Sequence, residues 1–320
     1  MGLPERADRT LAESLRPHLM EACGGRLGVI SWFRADWQRG GAATGRATWK
    51  LDDGTKRDVI VKVPVGPREL FWTRRLQQSN GELPTTVAHL LASGRTLGPY
   101  DLAWMVIEAL PVGPLGLHWQ DTHVARIVEA ATRLHSETTA FPVDRELVAI
   151  EDWADTLQRA KEAIHNNTLE QETAWRKLHR RMGRMLDDLV QQWRQRPIQH
   201  WVHGDLHLAN ALCRSDDPDA PVILIDLAEV RPGHWVEDAV YLERQLWSRS
   251  RRLSMSPVKT MRAARRAAAL SVADSDHVFA DIRRLLMAST APAFLRTEGH
   301  PRHLNACLEQ ATAAADRLSR

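Results

Sequence analysis

Residues 200–213, HWVHGDLHLANALC, set histidines, an aspartate and an asparagine among apolar residues. Buried polar groups are costly unless paired, so the stretch is either a well-satisfied structural turn or a site that uses those groups. Asp205 is followed five positions later by Asn210, and sixteen residues further on Asp226 closes the apolar run VILI. Phosphoryl transfer asks little covalent work of a protein. It needs one carboxylate to orient and deprotonate an attacking hydroxyl, and oxygen ligands that hold magnesium against nucleotide phosphates. Asp205, Asn210 and Asp226 supply that set.

The elements that must carry these groups can be read from the rest of the chain. With 320 residues, 43% hydrophobic and 26% charged, it is long enough for two domains or one enzyme of two lobes. Apolar positions at three- and four-residue intervals predict a helix over 4–23. Strands are predicted at about 27–34, 43–51 and 57–64, the last two joined by an Asp-Gly turn at Asp53 and Gly54. Pro67 opens a helix, and LAWMVIEAL at 102–110 reads as a further strand. The connector PVGPLG after it reads as a boundary, giving an N-lobe of residues 1–110 and a helical C-lobe of 111–320. Helices are predicted at 121–137, 151–166, 168–196, 236–250, 259–270, 275–288 and 303–318, interrupted by the loop after residue 200 and the strand that ends at Asp226.

In HGDLHLAN the chain resembles the aminoglycoside phosphotransferase family, a branch of the protein-kinase-like fold that includes antibiotic, choline and other small-molecule kinases. Its catalytic loop reads HGDxHxxN, met here by His203, Gly204, Asp205, His207 and Asn210. The resemblance implies an α+β fold with an antiparallel-sheet N-lobe and a helical C-lobe. It implies Asp205 as catalytic base, Asn210 and Asp226 as magnesium ligands, and His203 and His207 as structural groups of the loop. The fold also needs a strand lysine for the nucleotide phosphates and a helix glutamate to hold it. VIVKVP and PRELFW offer Lys62 and Glu69 for these roles. Taken singly, they also fit an edge-strand lysine and a first-turn glutamate favoured by the helix dipole. MVIEAL resembles the hinge strand, where the backbone carbonyl of Glu108 and amide of Leu110 would meet adenine and Ile107 would lie behind the base. RADWQRGGAATG stands where a glycine-rich loop would, with Gly40 and Gly41, helped by Arg39 or Thr44, as phosphate contacts.

The implied activity is transfer of the γ-phosphate of ATP, with Mg2+, to a hydroxyl of a small molecule. The alternatives are a sugar or lipopolysaccharide kinase, or a nucleotide-binding pseudokinase without turnover. Acidic and aromatic residues after Asp226, Trp235 and Glu237 with Tyr241 and Glu243, would suit a cationic acceptor. Equally, Asp238 would pin the catalytic loop and the aromatics would belong to the core. His135 reads as structural, and His118 and His123 as either lining the site or facing water. The helices after residue 250 match no part of the resemblance.

Forty-three basic against forty acidic residues give a net charge of +3, and the two signs are interleaved, which argues against a nucleic-acid partner. The arginine clusters RSRR at 249–252 and RAARR at 262–266 read as solvated helix faces. No apolar run reaches the length of a membrane span, and the first 25 residues lack an apolar export segment, so a cytoplasmic location is expected. Cys23, Cys213 and Cys307 form no metal-binding spacing and read as inert thiols. Nothing in the sequence fixes an oligomeric state.

Overall fold

The computed structural model describes residues 4–33, 42–78 and 82–319, with side chains from residue 12 onward. In chain order the elements are α1 (Pro4–Ala22), β1 (Ser31–Phe33), β2 (Ala43–Lys50), β3 (Lys56–Val63), α2 (Pro67–Arg75), β4 (Leu90–Gly94), β5 (Trp104–Glu108), α3 (His123–Glu137), α4 (Trp153–Asn166), α5 (Glu172–Arg194), β6 (His200–Val202), β7 (Ala211–Cys213), β8 (Val222–Leu224), β9 (Arg231–Gly233), α6 (Val236–Arg244), α7 (Pro257–Ala267), α8 (Asp276–Ser289), α9 (Leu295–Glu298) and α10 (Pro301–Leu318). Contacts gather them into two compact units: Met1–His118 with Ala209–Val230, and Trp119–Leu208 with Arg231–Arg320.

The first unit is built on an antiparallel sheet ordered β1-β2-β3-β5-β4. The β2–β3 connection is the expected turn. Asp53 Oδ1 accepts from the Thr55 amide at 2.9 Å and hydroxyl at 2.6 Å, and Gly54 takes a φ of +83°. Along β3 the two-residue alternation buries Val59, Val61 and Val63 on one face and turns Ile60 and Lys62 to the other. The valine face packs, with Trp104 and Val106, against Leu15 and Leu19 of α1 and Cys23 just after it. On the opposite face Met105, the register partner of Lys62, packs with Val65 and with Leu70 of α2. Because β3 lies between β2 and β5, Lys62 sits on an interior strand, not an edge.

The second unit is mostly helical. α5 buries Trp175, Leu178, Met182, Leu189 and Trp193 along one stripe, α3 buries Val124, Ile127, Ala131 and Leu134, and α8 is buried on most sides against α5, α6 and α10. β6 pairs antiparallel with β9, Val202 opposite Arg231. Among the described residues no helix is long and apolar enough to cross a membrane.

Three features differ from the sequence expectations. The strand expected from residue 27 is reduced to a bridge of Leu27 with Trp49, followed by β1. The helix expected over 236–250 stops at Arg244, and a 3-10 turn at Trp247–Arg252 follows, broken at Arg249 (φ −129°, ψ 52°). The lobe boundary expected at residue 110 is a linear cut, whereas the contact division is not linear. The β7–β8 hairpin returns to the first unit, with the Cys213 amide donating to Val112 O at 2.7 Å and the Leu224 amide to Thr86 O at 2.8 Å.

Two glycines test this packing in opposite directions. A Cβ at Gly45 of β2 would lie 2.4 Å from Ile30 Cγ2 and 2.9 Å from the Trp32 ring, so Gly45→Ala is expected to lower the unfolding free energy by about 1–3 kcal/mol. At Gly183, on the exposed side of α5, nothing lies within 4 Å. Gly183→Ala should therefore raise stability by roughly 0.5–1 kcal/mol. Urea unfolding of both variants checks the two signs.

Candidate active site

In the first unit, Lys62 Nζ lies 2.8 Å from both carboxylate oxygens of Glu69 and 3.5 Å from Oδ1 of Asp226. Three elements deliver these groups. β3 fixes the lysine. α2, entered through Gly66 with Pro67 preorganising its first turn, brings Glu69. The β7–β8 hairpin brings Asp226. Burial pushes the Glu69 carboxyl up, Lys62 opposes this and Asp226 adds to it, leaving the group above its ordinary value.

In the hairpin Ala211 faces Leu224 and the Ile225 amide donates to Asn210 O at 3.0 Å, so Asn210 and Asp226 emerge at the same end. Asp226 adopts a left-handed conformation (φ 60°, ψ 66°), which aspartate tolerates better than most side chains. Its side chain is 43% exposed. An amide oxygen and a carboxylate are the hard donors that magnesium takes. Among the described residues no group of three or more His, Cys, Asp or Glu converges on a metal position. The pair thus fits a magnesium ion that completes its shell with other oxygens, and not one caged by protein alone.

Glu108 is buried, and its carboxylate accepts from the His89 amide at 2.7 Å and from Arg214 Nη2 at 2.6 Å. That side chain is committed to the fold, which leaves only the backbone of Glu108 for a ligand. Leu110 follows two residues beyond, half-buried past the end of β5. Thr44 is buried in β2 opposite Lys62. Arg39, Gly40 and Gly41 lie outside the described residues.

Asp205 belongs to the second unit, in the loop that leaves β6. The loop turns at Gly204, whose φ of +81° would strain any side chain. His203, fully buried, accepts the Asp205 amide on Nδ1 at 3.3 Å. Asp238, in the first turn of α6, is also fully buried and accepts the amides of His203 at 2.8 Å and Gly204 at 2.9 Å. Asp238 therefore pins the turn through its main chain.

Behind Asp238 stands a polar column. His135 Nε2 lies 3.0 Å from Asp238 Oδ2, and Arg265 Nη1 lies 3.2 Å from His135 Nδ1. Guanidinium offers only donors, so Nδ1 accepts and the ring proton sits on Nε2, donating to Asp238. Arg265 likewise donates to His200 Nε2 at 3.3 Å and to Ser271 O at 3.0 Å. Burial, then the charge of Arg265, holds His200 down at about 2, and burial lowers His135 as well. Both rings are neutral. Burial pushes the Asp238 carboxyl up, but the bonds from His135 and Gly204 outweigh it, and the group stays below its ordinary value.

At the Asp205 carboxylate, His207 Nε2 lies 3.3 Å from Oδ2. Partial burial raises its pKa, and His207 foremost, with Tyr241 and His203 nearby, lowers it further, so the net shift is downward. A carboxylate ionised at neutral pH can accept a proton.

Two candidates are placed otherwise than acceptor contacts require. Trp235 is 1% exposed, with Nε1 donating to Asp276 at 3.3 Å, and Glu237 is 2% exposed. Glu237 accepts from Arg196 Nε and Arg231 Nη2, each at 2.9 Å, and from the His234 amide at 2.9 Å. Both are internal, which corrects the expectation that they meet a substrate. Glu243 is likewise held by Arg284, at 2.7 Å to each oxygen. The residues that sequence reasoning missed are Arg265 and His200. Arg265 had a signal: Val258, Met261 and Arg265 share the buried stripe of α7, so the RAARR run is not wholly a solvated face.

A family model described as "Phosphotransferase enzyme family" matches residues 37–274. The chain belongs to this family. Among solved structures, this phosphotransferase-family chain is similar to a microcompartment-associated aminopropanol kinase, at 16% identity and TM-score 0.59 over 91% of this chain and 92% of that one. It is similar to an aminoglycoside phosphotransferase from Alicyclobacillus acidocaldarius, at 17% identity and TM-score 0.55 over 92% and 90%. A spectinomycin phosphotransferase in complex with ADP and spectinomycin aligns at 10% identity and TM-score 0.55 over 96% and 97%. At such identities the likeness is one of fold, α+β and protein-kinase-like. No curated protein sequence matches.

The buried network makes two predictions. Asn at position 238 offers one acceptor oxygen where two carboxylate oxygens now accept, so Asp238→Asn turns an amide N–H toward a donor. It is expected to lose about 1–3 kcal/mol in chemical denaturation. The second concerns pH. His135, His179 (about 4) and His200 (about 2) titrate lower in the folded chain than the ordinary value near ~6.5. Below that value the unfolded chain takes up protons that the folded chain refuses, so stability falls as pH drops toward 4, by roughly 1.4 kcal/mol per pH unit for each ring. His200→Gln, which keeps an acceptor for Arg265, should show a shallower fall than wild type when denaturation is repeated between neutral pH and the acid limit.

Proposed function

We propose that the protein is an ATP- and magnesium-dependent phosphotransferase that moves the γ-phosphate to a hydroxyl of a small molecule. The observation that carries this reading is the ammonium of Lys62 held at 2.8 Å by Glu69 beside Asp226. An ionised Asp205 in the HGDLHLAN segment of the second unit also supports the reading. In this reading Lys62 donates to nucleotide phosphate oxygens and Glu69 keeps it in place. The Glu108 carbonyl and Leu110 amide meet the base, and Gly40 and Gly41 contribute backbone contacts to the phosphates. Asn210 and Asp226 hold magnesium, which neutralises charge on the transferring phosphoryl group. Asp205 orients the acceptor hydroxyl and takes its proton as the hydroxyl oxygen bonds to the γ-phosphorus and the bond to the bridging oxygen breaks. ADP and a phosphate ester result.

A small acceptor is favoured over a protein. Only about ten residues separate Asp226 from α6, too few for a peptide-docking segment. The cationic acceptor loses its main support, because Glu237 and Glu243 are neutralised by internal arginines. Amino alcohols, aminoglycosides and uncharged sugars therefore belong in the same panel.

The reading is tested by coupled nucleoside-diphosphate release with Mg2+ and ATP or GTP over that panel. Asp205→Asn is expected to lower transfer by roughly 10²–10⁴-fold while nucleotide still stabilises the protein thermally. Full transfer by Asp205→Asn would falsify the assignment of the base. Thermal stabilisation by Mg-ATP with no turnover of any acceptor or of water would favour a nucleotide-binding module instead.

A further inference from the structure

We infer that a groove along the outer face of α2 binds a small organic anion, a molecule with one anionic head on an apolar body. The groove lies wholly in the first unit and encloses about 890 Å³. That volume falls within the ~300–1,000 Å³ of small-molecule clefts. None of Lys62, Glu69, Asn210 or Asp226 lines it.

Two walls form the groove. Pro67, Leu70, Phe71 and Arg74 recur at three- and four-residue intervals, so α2 presents them along one stripe, with Glu69 on its other side. Leu70 is buried and Phe71 is 54% exposed, so the stripe runs from an apolar floor to an open apolar rim. The facing wall is the connection from β4 to β5, which contributes Arg95 and residues 101–103. Its main chain is fixed at several points. The Val65 amide donates to Ala103 O at 2.8 Å, Leu97 and Tyr100 exchange backbone bonds at 2.9 and 3.0 Å, and Trp104 Nε1 donates to Thr96 O at 3.0 Å. The walls are therefore set before a ligand arrives, which lowers the ordering cost of binding.

Charge selects the occupant. Arg74, Arg75 and Arg95 edge the groove against a single carboxylate, Asp101. Arg74 donates from Nε to Ser93 Oγ at 2.9 Å and from Nη2 to Ser93 O at 3.4 Å. Both acceptors are neutral, so they orient the guanidinium and leave its charge uncompensated. Ser93 precedes Arg95 by two residues, which brings Arg74 across the groove to the end of β4 where Arg95 stands. Among the described residues neither Arg74 nor Arg95 forms an ion pair. Oriented guanidinium groups beside an apolar floor suit a phosphate or carboxylate that carries a hydrocarbon body.

Calorimetric titration of the full chain tests this, with octyl phosphate as the probe below its micelle concentration, and octanol and inorganic phosphate as its separate halves. Octyl phosphate should bind saturably at one site, with each half weaker by about tenfold or more. Phe71→Glu and Arg95→Glu should each weaken octyl phosphate by about tenfold or more, whereas Lys50→Glu, at the exposed end of β2 and outside the groove, should leave it unchanged. Asp101→Asn removes the opposing charge and should tighten binding by about threefold, a gain that a folding defect does not produce. No saturable binding, octanol binding as well as octyl phosphate, an equal loss in Lys50→Glu, or binding that survives both groove variants overturns the site. Association with phosphatidylglycerol vesicles but not with the dispersed probe marks the face as a membrane contact and overturns it as well. No readout depends on turnover, so the outcome is separate from that of the phosphotransferase reading.

Discussion

One buried carboxylate sets the terms for the second unit. Asp238 is out of reach of water, yet it is ionised, because two loop amides and the His135 ring donate to it. Arg265 reaches it through His135. A neutral imidazole stands between them, accepting from the guanidinium on one nitrogen and donating to the carboxylate from the other. The arrangement works only with His135 neutral and in one tautomer, since a proton on Nδ1 would face a guanidinium that has only donors. Burial secures that condition. The column thereby ties α3, α6 and α7 to the turn at Gly204, and removing any member leaves a buried charge or donor without its partner.

The ion cluster of the first unit obeys a different balance. One ammonium lies among two carboxylates, Glu69 buried and Asp226 nearly half exposed. The three groups together carry an excess negative charge; burial is the chief cause of the raised Glu69 carboxyl, and Asp226 adds to it. Such a cluster favours the arrival of a further cation. The column behind Asp238 is closed on itself, whereas this cluster is open to solvent at Asp226.

What the sequence disclosed followed from how local each signal is. HGDLHLAN, Lys62 and Glu69 were legible because a loop motif, a two-residue alternation and a helix start all act within a few residues. β4 was not, since LLASG is half-buried along its whole length and shows no alternation. The return of residues 209–230 to the first unit depends on pairing of Cys213 with Val112 and of Leu224 with Thr86, 101 and 138 residues earlier, and nothing in the hairpin names those partners. Trp235 and Glu237 were misplaced because a charged or aromatic residue near a motif does not reveal its own partner. Arg196 lies 41 residues before Glu237, and only the packing of α5 against its neighbours brings it there.

The same reasoning accounts for the arginine content. Arg196 and Arg231 share Glu237, Arg284 spans Glu243 and Asp281, and Arg317 reaches Asp281 through two nitrogens. Arg284 on Glu243 and Arg317 on Asp281 are the bidentate pairs for which guanidinium is suited and lysine is not. Several arginines here are internal partners for carboxylates, so the basic composition is not by itself a sign of a polyanion-binding surface. It also means that Glu237, Asp238 and Glu243 are committed to internal partners, whereas Glu229, three residues after Asp226, is exposed. Under the proposed function, the charge of the acceptor is then not written in α6.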